Sequence, residues 1–182
     1  MVQIVVDSRD LLKLVTSLDK VKNGVERALA PAINTALANG RTVIKREIRK
    51  QYTIKAKDIP ITLHRASYKH LVGEFRIDQG MLPLEKFELH PRGFTHKRKL
   101  IFARVKRGKG GYLRHNAFFI PRGGPYHRLG PERYPIAKMV TISAAIMASQ
   151  PEVENATRES MGFTLEKRIN HEIERVLATS GK

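Results

Sequence analysis

Residues 100–113 read LIFARVKRGKGGYL. Three consecutive apolar residues, Leu100, Ile101 and Phe102, open the stretch, and a strand buried on both faces or packed under a helix carries such a run. Gly108, Lys109, Gly110 and Gly111 follow, and glycines clustered between extended segments mark a turn. The stretch therefore predicts a long β-hairpin. Further short strands are predicted around it at residues 59–65, 70–77, 87–89 and 117–121. Residues 81–87 (MLPLEKF) read as an apolar linker bent at Pro83.

On either side of this strand-rich middle the pattern changes to helix. Over residues 21–51 Leu29, Ile33, Leu37, Gly40, Ile44 and Ile48 recur every three or four positions, which places them on one helix face. Pro31 lies inside this helix as a kink or restart, and Arg41, Lys45 and Arg49 make a basic stripe on another face. Toward the end, Pro151 suits a first helical turn, with Phe163, Leu165, Ile169, Ile173 and Val176 as an apolar face. Residues 1–6 read as a strand and residues 11–18 as a short amphipathic helix. Helices, then strands, then a helix argue for an α+β fold: N-terminal helices including one long helix, a central antiparallel sheet with extended basic loops or a hairpin, and a C-terminal helix. The expected organisation is a single domain over residues 1–182, with a basic, loop-rich segment at 89–131.

Charge is the most distinctive feature of the composition. The 182 residues carry 34 Lys and Arg against 17 Asp and Glu, a net charge of +17, more than solubility requires. Such a chain attracts polyanions: nucleic acid, an anionic membrane or an acidic protein. Residues 89–131 contain no Asp or Glu and carry Arg92, Lys97, Arg98, Lys99, Arg104, Lys106, Arg107, Lys109, Arg114, Arg122 and Arg128. Phosphate backbones are bound by arrays of this kind, because each neutralised phosphate releases counterions. Tyr112, Phe118, Phe119 and Tyr126 are interleaved and suit base stacking, although Phe118 and Phe119 sit in a strand pattern that favours core packing. The segment reads as electrostatic contact without sequence readout. An acidic protein neighbour satisfies the same array.

Enzyme chemistry finds little support. There is no cysteine, which excludes thiol catalysis and Cys-based zinc sites. The histidines lack H-x-x-x-H and H-E-x-x-H spacing, and no G-x-S-x-G elbow appears. The glycine loop lacks the G-x-x-x-x-G-K-[ST] spacing of a phosphate-binding P-loop. Glu152, Glu154, Glu166, Glu172 and Glu174 read as surface charges on the last helix. A non-enzyme without cofactor or metal is expected. No run approaches the roughly 20 apolar residues of a membrane span, and the first ten residues do not form a secretory signal, so no membrane partner is expected.

Arg133-Tyr134-Pro135-Ile136, continuing through Ala137-Lys138-Met139-Val140, resembles the R-Y-P-I patch of the lambda-like phage minor tail protein Z family, the tail completion proteins. Other pieces follow in the same order. Ala32-Ile33-Asn34 is similar to the start of the family's helix, with Thr35 where an Arg is common. Ile54-Lys55, residues 59–66 and Leu82-Pro83-Leu84 are similar to its basic lead-in, first strands and L-P-hydrophobic segment. Asn116-Ala117-Phe118-Phe119 and the basic glycine loop 122–130 precede the patch, and Met161-Gly162-Phe163 resembles the C-terminal piece. The resemblance implies a virion component of the tail, present in the host cytoplasm during assembly. It would act late in tail assembly and head-tail joining near the head-proximal end. Tail tube and tail terminator proteins would be its neighbours, with self-association in a ring and contact with phage DNA as further implications. A basic nucleic-acid-binding module that contacts phosphates without sequence readout is the alternative. Within the patch, Pro135 holds its own φ and biases Tyr134 away from helix. Arg133 is the expected exposed contact, and Tyr134 is either displayed with it or packed on the core.

Overall fold

A computed structural model describes residues 24–92, 100–113, 117–121 and 123–180. The fold is α+β, as expected. Helix α1 is Gly24–Gln51. The strands are β1 Ile61–His64, β2 Glu74–Ile77, β3 Met81–Pro83, β4 Glu88–His90, β5 Phe102–Lys106, β6 Lys109–Tyr112, β7 Ala117–Phe119, β8 Pro125–Arg128, β9 Ile136–Lys138 and β10 Val140–Ser143. Helices α2 Ala144–Ala148 and α3 Pro151–Ser180 close the order. The predicted N-terminal strand and first short helix lie outside the described residues. The chain divides into two compact units: unit 1 is Met1–Ile44, Ile61–Ile77 and Ser149–Lys182, and unit 2 is Lys45–Pro60 and Asp78–Ala148.

Unit 1 is built on two helix faces. Leu29, Ile33, Leu37, Gly40 and Ile44 of α1 are all buried, as their spacing predicts. The helix runs through Pro31, whose missing N–H leaves the Arg27 carbonyl without its helical donor. On α3 the buried residues are Val153, Thr157, Met161, Leu165, Ile169, Glu172 and Val176. They repeat every three or four positions and make one stripe. The two helices run antiparallel: Ala28 packs with Val176, and a Cβ on Gly40 would lie only 2.5 Å from Met161 Sδ and 2.7 Å from Phe75 Cζ. Gly40 is thus a point of close approach, where a side chain would displace core atoms. Asn39 Nδ2 donates to Ser160 Oγ (2.9 Å) and Thr164 Oγ1 (2.6 Å), adding polar specificity.

Strands β1 and β2 form an antiparallel pair with Ile61 opposite Ile77 and Leu63 opposite Phe75. Asn34 of α1 clasps the chain just beyond β1: its Nδ2 donates to the Ala66 carbonyl (3.0 Å) and its Oδ1 accepts from the Ala66 N–H (2.9 Å). One side chain therefore satisfies both polar groups of a residue outside any ladder.

Two expectations for unit 1 are corrected. Phe163 does not belong to the apolar face of α3; it is 70% exposed, because it stands two positions from Met161 and so on the far side of the helix. Glu172 is not a surface charge. It is 4% exposed and accepts from Arg175 Nε at 2.6 Å, with Arg168 Nη2 at 3.5 Å. Cations one turn away on the same helix supply the pairing that a buried carboxylate requires.

Unit 2 is strand-rich, and its buried residues include Ile48, Tyr52, Ile54, Ile59, Leu82, Phe87 and Met147. Leu84, Leu89 and Ile101 form one buried cluster, and Ala103, Val105, Leu113, Ala117, Phe119 and Met139 pack against it. Two three-stranded antiparallel sheets, ordered β4-β5-β6 and β7-β8-β9, and the pair β3-β10 surround this cluster. The predicted hairpin is present: β5 and β6 pair with Phe102 opposite Tyr112 and Lys106 opposite Lys109. Gly108 closes the turn at φ +77, a conformation that costs glycine nothing and a β-carbon residue considerably more.

The segment MLPLEKF is not a linker. It forms β3 followed by a 3-10 turn at Leu84–Lys86, since pairing with β10 satisfies its backbone and buries Leu82 and Leu84. The opening of the hairpin also differs from a strand buried on both faces: Ile101 is buried while Leu100 is 49% exposed and Phe102 is half-buried. Consecutive residues of an extended chain point to opposite sides, and only one side of this sheet meets the core.

Candidate nucleic-acid interface

The positive charge is not spread evenly. The sequence spans of unit 2 hold 20 Lys and Arg against 6 Asp and Glu, a net charge of +14. Those of unit 1 hold 14 against 11, a net charge of +3. Within unit 2 the hairpin gathers four of the predicted polyanion contacts. Arg104 and Lys106 lie on β5, Arg107 in the turn and Lys109 on β6. Lys106, Arg107 and Lys109 are exposed and Arg104 is half-exposed.

Lys106 and Lys109 stand opposite each other in the ladder, an arrangement of like charges that disfavours the isolated fold and is relieved by an anion. Arg92 is exposed beyond the end of β4. Arg128 ends β8 in the other sheet, with its guanidinium 5.7 Å from the centre of the Phe118 ring. Lys97, Arg98, Lys99, Arg114 and Arg122 lie outside the described residues.

Backbone bonds bring a further group of cations to the hairpin. The Arg107 N–H donates to the Gln51 carbonyl (2.7 Å), and its side-chain Nε donates to the Arg49 carbonyl (2.8 Å). Arg107 thereby caps the C-terminal end of α1, where unpaired carbonyls and the negative end of the helix dipole favour a cation. The Thr53 N–H donates to the Val105 carbonyl (3.0 Å), continuing the attachment. Exposed Arg49 and Lys50 thus join Lys106, Arg107 and Lys109. The basic stripe on α1 was readable from the sequence through Arg49. Its junction with a hairpin more than fifty residues downstream had no local signal.

Lys50 Nζ pairs with Glu47 at 2.6 Å, and Arg46 Nε contacts the same carboxylate at 3.0 Å. The hydrogen bond from Lys50 is the main cause holding the Glu47 carboxyl below its usual value. Tyr52 is fully buried beneath this region, and burial raises its phenol above the ordinary range. Lys106 Nζ lies 5.7 Å from the centre of the Tyr52 ring, a cation–π contact on the ring's negative face.

On the sheet β4-β5-β6, Leu89, Ala103, Val105 and Leu113 face or border the core. The alternation of side chains sends their neighbours outward. His90, Phe102 and Tyr112 are opposite one another in register and form one row across the outer face. The Phe102 and Tyr112 rings meet edge to face, 5.4 Å between centres at 72°. Tyr112 is 71% exposed. In the next row Arg104 pairs with Glu88 at 3.5 Å and lies 5.7 Å from the centre of the Phe102 ring. His90, Pro91, Leu100, Phe102 and Tyr112 line a shallow depression of about 540 Å³.

Tyr112 is among the aromatics interleaved with the cations in the sequence, whereas the run Leu100-Ile101-Phe102 points to a core place for Phe102. Of the other singled-out rings, Phe119 packs on the core cluster, while Phe118 and Tyr126 are half-buried in the second sheet.

The R-Y-P-I residues lie in the same unit. Arg133, Tyr134 and Pro135 are exposed in the loop between β8 and β9, and Ile136 begins β9 half-buried. The Tyr134–Pro135 peptide is cis, and the Pro135 carbonyl accepts from the Leu129 N–H at 3.1 Å, which pins the base of the loop. Tyr134 is 64% exposed with the Arg133 guanidinium 5.7 Å from its ring centre. Packing of Tyr134 on the core is therefore excluded.

Among the described residues no group of three or more His, Asp or Glu side chains is placed to hold a metal ion, and no described helix is long and apolar enough to cross a membrane. No family model, no curated protein and no solved structure matches the chain.

Proposed function

We propose that this chain is a non-enzymatic assembly protein of a phage tail, of the tail completion type, acting in late tail assembly and head-tail joining. The observation that carries the reading is the display of Arg133, Tyr134 and Pro135 on a pinned loop of unit 2, in the motif that resembles the minor tail protein Z family. Three adjacent exposed residues, one a large aromatic under a guanidinium, have little to contribute to the monomer and suit a protein contact, where Arg and Tyr are favoured anchors. The neighbours would be tail tube and tail terminator proteins, or further copies of this chain.

Two measurements test the reading. The chain is quantified by mass spectrometry in purified tails and virions of the source; presence at a few to a dozen copies per particle supports it, and absence from both removes it. Arg133→Ala is then expected to block tail assembly while leaving the monomer's circular dichroism and melting temperature unchanged, because Arg133 touches only exposed groups.

A second reading, binding of phosphate backbones without sequence readout, is favoured by the cations of the hairpin and the end of α1. It is compatible with the first, since a tail protein can also meet DNA.

A further inference from the structure

The row His90, Phe102, Tyr112 is difficult to explain by the fold alone. Tyr112 on the edge strand β6 is 71% exposed beside the half-buried Phe102 of the central strand β5, which leaves aromatic surface in water without a folding gain. It is also set among cations: Arg104 over the Phe102 ring and exposed Arg92 beyond the end of β4. Glu88 is the only acid on these three strands, and it is already engaged by Arg104 and His90.

We propose that the outer face of β4-β5-β6 binds single-stranded nucleic acid, with an unpaired base stacked on the exposed Tyr112 ring, the Phe102 ring bordering it edge-on, and the flanking phosphates met by Arg92 and Arg104. Flat aromatic rings recognise the faces of bases and cations recognise the backbone between them. A duplex keeps its base faces stacked internally and offers this row nothing. An acidic peptide matches the cations through its carboxylates and draws nothing from an exposed aromatic ring unless it carries an aromatic side chain of its own. The Phe102 ring lies over Gly110, where an added Cβ would be 2.5 Å from Phe102 Cζ, so the glycine leaves room for the ring to stay flat on the sheet.

This inference rests on the second reading above, that the polyanion is nucleic acid. The test uses the full chain and three fluorescein-labelled probes of equal length: oligodeoxythymidylate, an abasic deoxyribose-phosphate oligomer and a duplex. Their binding is followed by anisotropy at low salt. Oligodeoxythymidylate is expected to bind at least about fivefold tighter than the abasic oligomer. Tyr112→Ala should erase that preference, and Tyr112→Phe should retain it. Because Tyr112 is mostly exposed, both variants should keep the wild-type circular dichroism. Equal affinity for oligodeoxythymidylate and the abasic oligomer, or a preference untouched by Tyr112→Ala, overturns the stacking inference and leaves phosphate binding standing. Absence of binding to all three probes overturns both and leaves an acidic protein as the partner.

Discussion

Unit 1 and unit 2 use charge in opposite ways. In unit 1 acids and bases nearly balance, and several pair along α3, where Arg158 meets Glu154 at 2.8 Å and Arg175 meets the buried Glu172 at 2.6 Å. Its core is a continuous stripe on two long antiparallel helices. In unit 2 the cations outnumber the acids more than three to one, and like charges face each other across a hairpin. Unit 1 is arranged to be stable. Unit 2 carries a charge excess and an exposed aromatic row that its own folding does not require. Substitutions should accordingly register as stability in the first and as binding in the second.

The sharpest way to break that contrast is a core truncation. Leu37 is fully buried, and Leu37→Ala should destabilise the protein by about 2–5 kcal/mol through reduced burial and the cavity left behind. Chemical denaturation followed by circular dichroism measures this. A cost below about 1 kcal/mol would show that unit 1 is not the stable part. Asn34→Ala should have a smaller effect, about 1–3 kcal/mol, by leaving both Ala66 backbone groups without their partner. Asn34→Asp retains the acceptor but loses the donor and should fall between wild type and Asn34→Ala.

The smallest effect on stability belongs to unit 2. Lys106→Gln combined with Lys109→Gln removes opposed like charges and should change stability by no more than about 0.5 kcal/mol, with a slight gain favoured. Its effect should appear instead in the salt dependence of polyanion binding. The slope of log affinity against log salt should become shallower by roughly one unit for each phosphate that the variant no longer neutralises. A large drop in stability with an unchanged slope would reverse the roles assigned to the two units.

The parts of the fold legible in the sequence were those governed by local period and turn chemistry. The buried face of α1 follows from spacing alone, and the hairpin follows from a glycine cluster between extended segments. The misreadings arose where partners decide. Phe163 is apolar, but the phase of α3 is set by Met161 and Leu165 against α1 and puts Phe163 outside. MLPLEKF lacks an alternating pattern, and only β10 makes it a strand. Glu172 resembles its acidic neighbours on α3 in sequence and differs from them only in facing inward.

The candidate site divides in the same way. Its charge was legible in the absence of acids from residues 89–131, and so was Arg133 as the exposed contact of the R-Y-P-I patch. Their positions in space were not. Composition and short-range periodicity determined the class of the fold, its long helices, its hairpin and the sign of its principal surface, because each depends on residues within a turn or two of one another. Tertiary structure alone decided that Arg107 caps the end of α1, that His90, Phe102 and Tyr112 share one row, and that Tyr134 faces solvent. Those outcomes depend on strand register and on pairings across tens of residues, where a shift of one position sends every side chain to the opposite face.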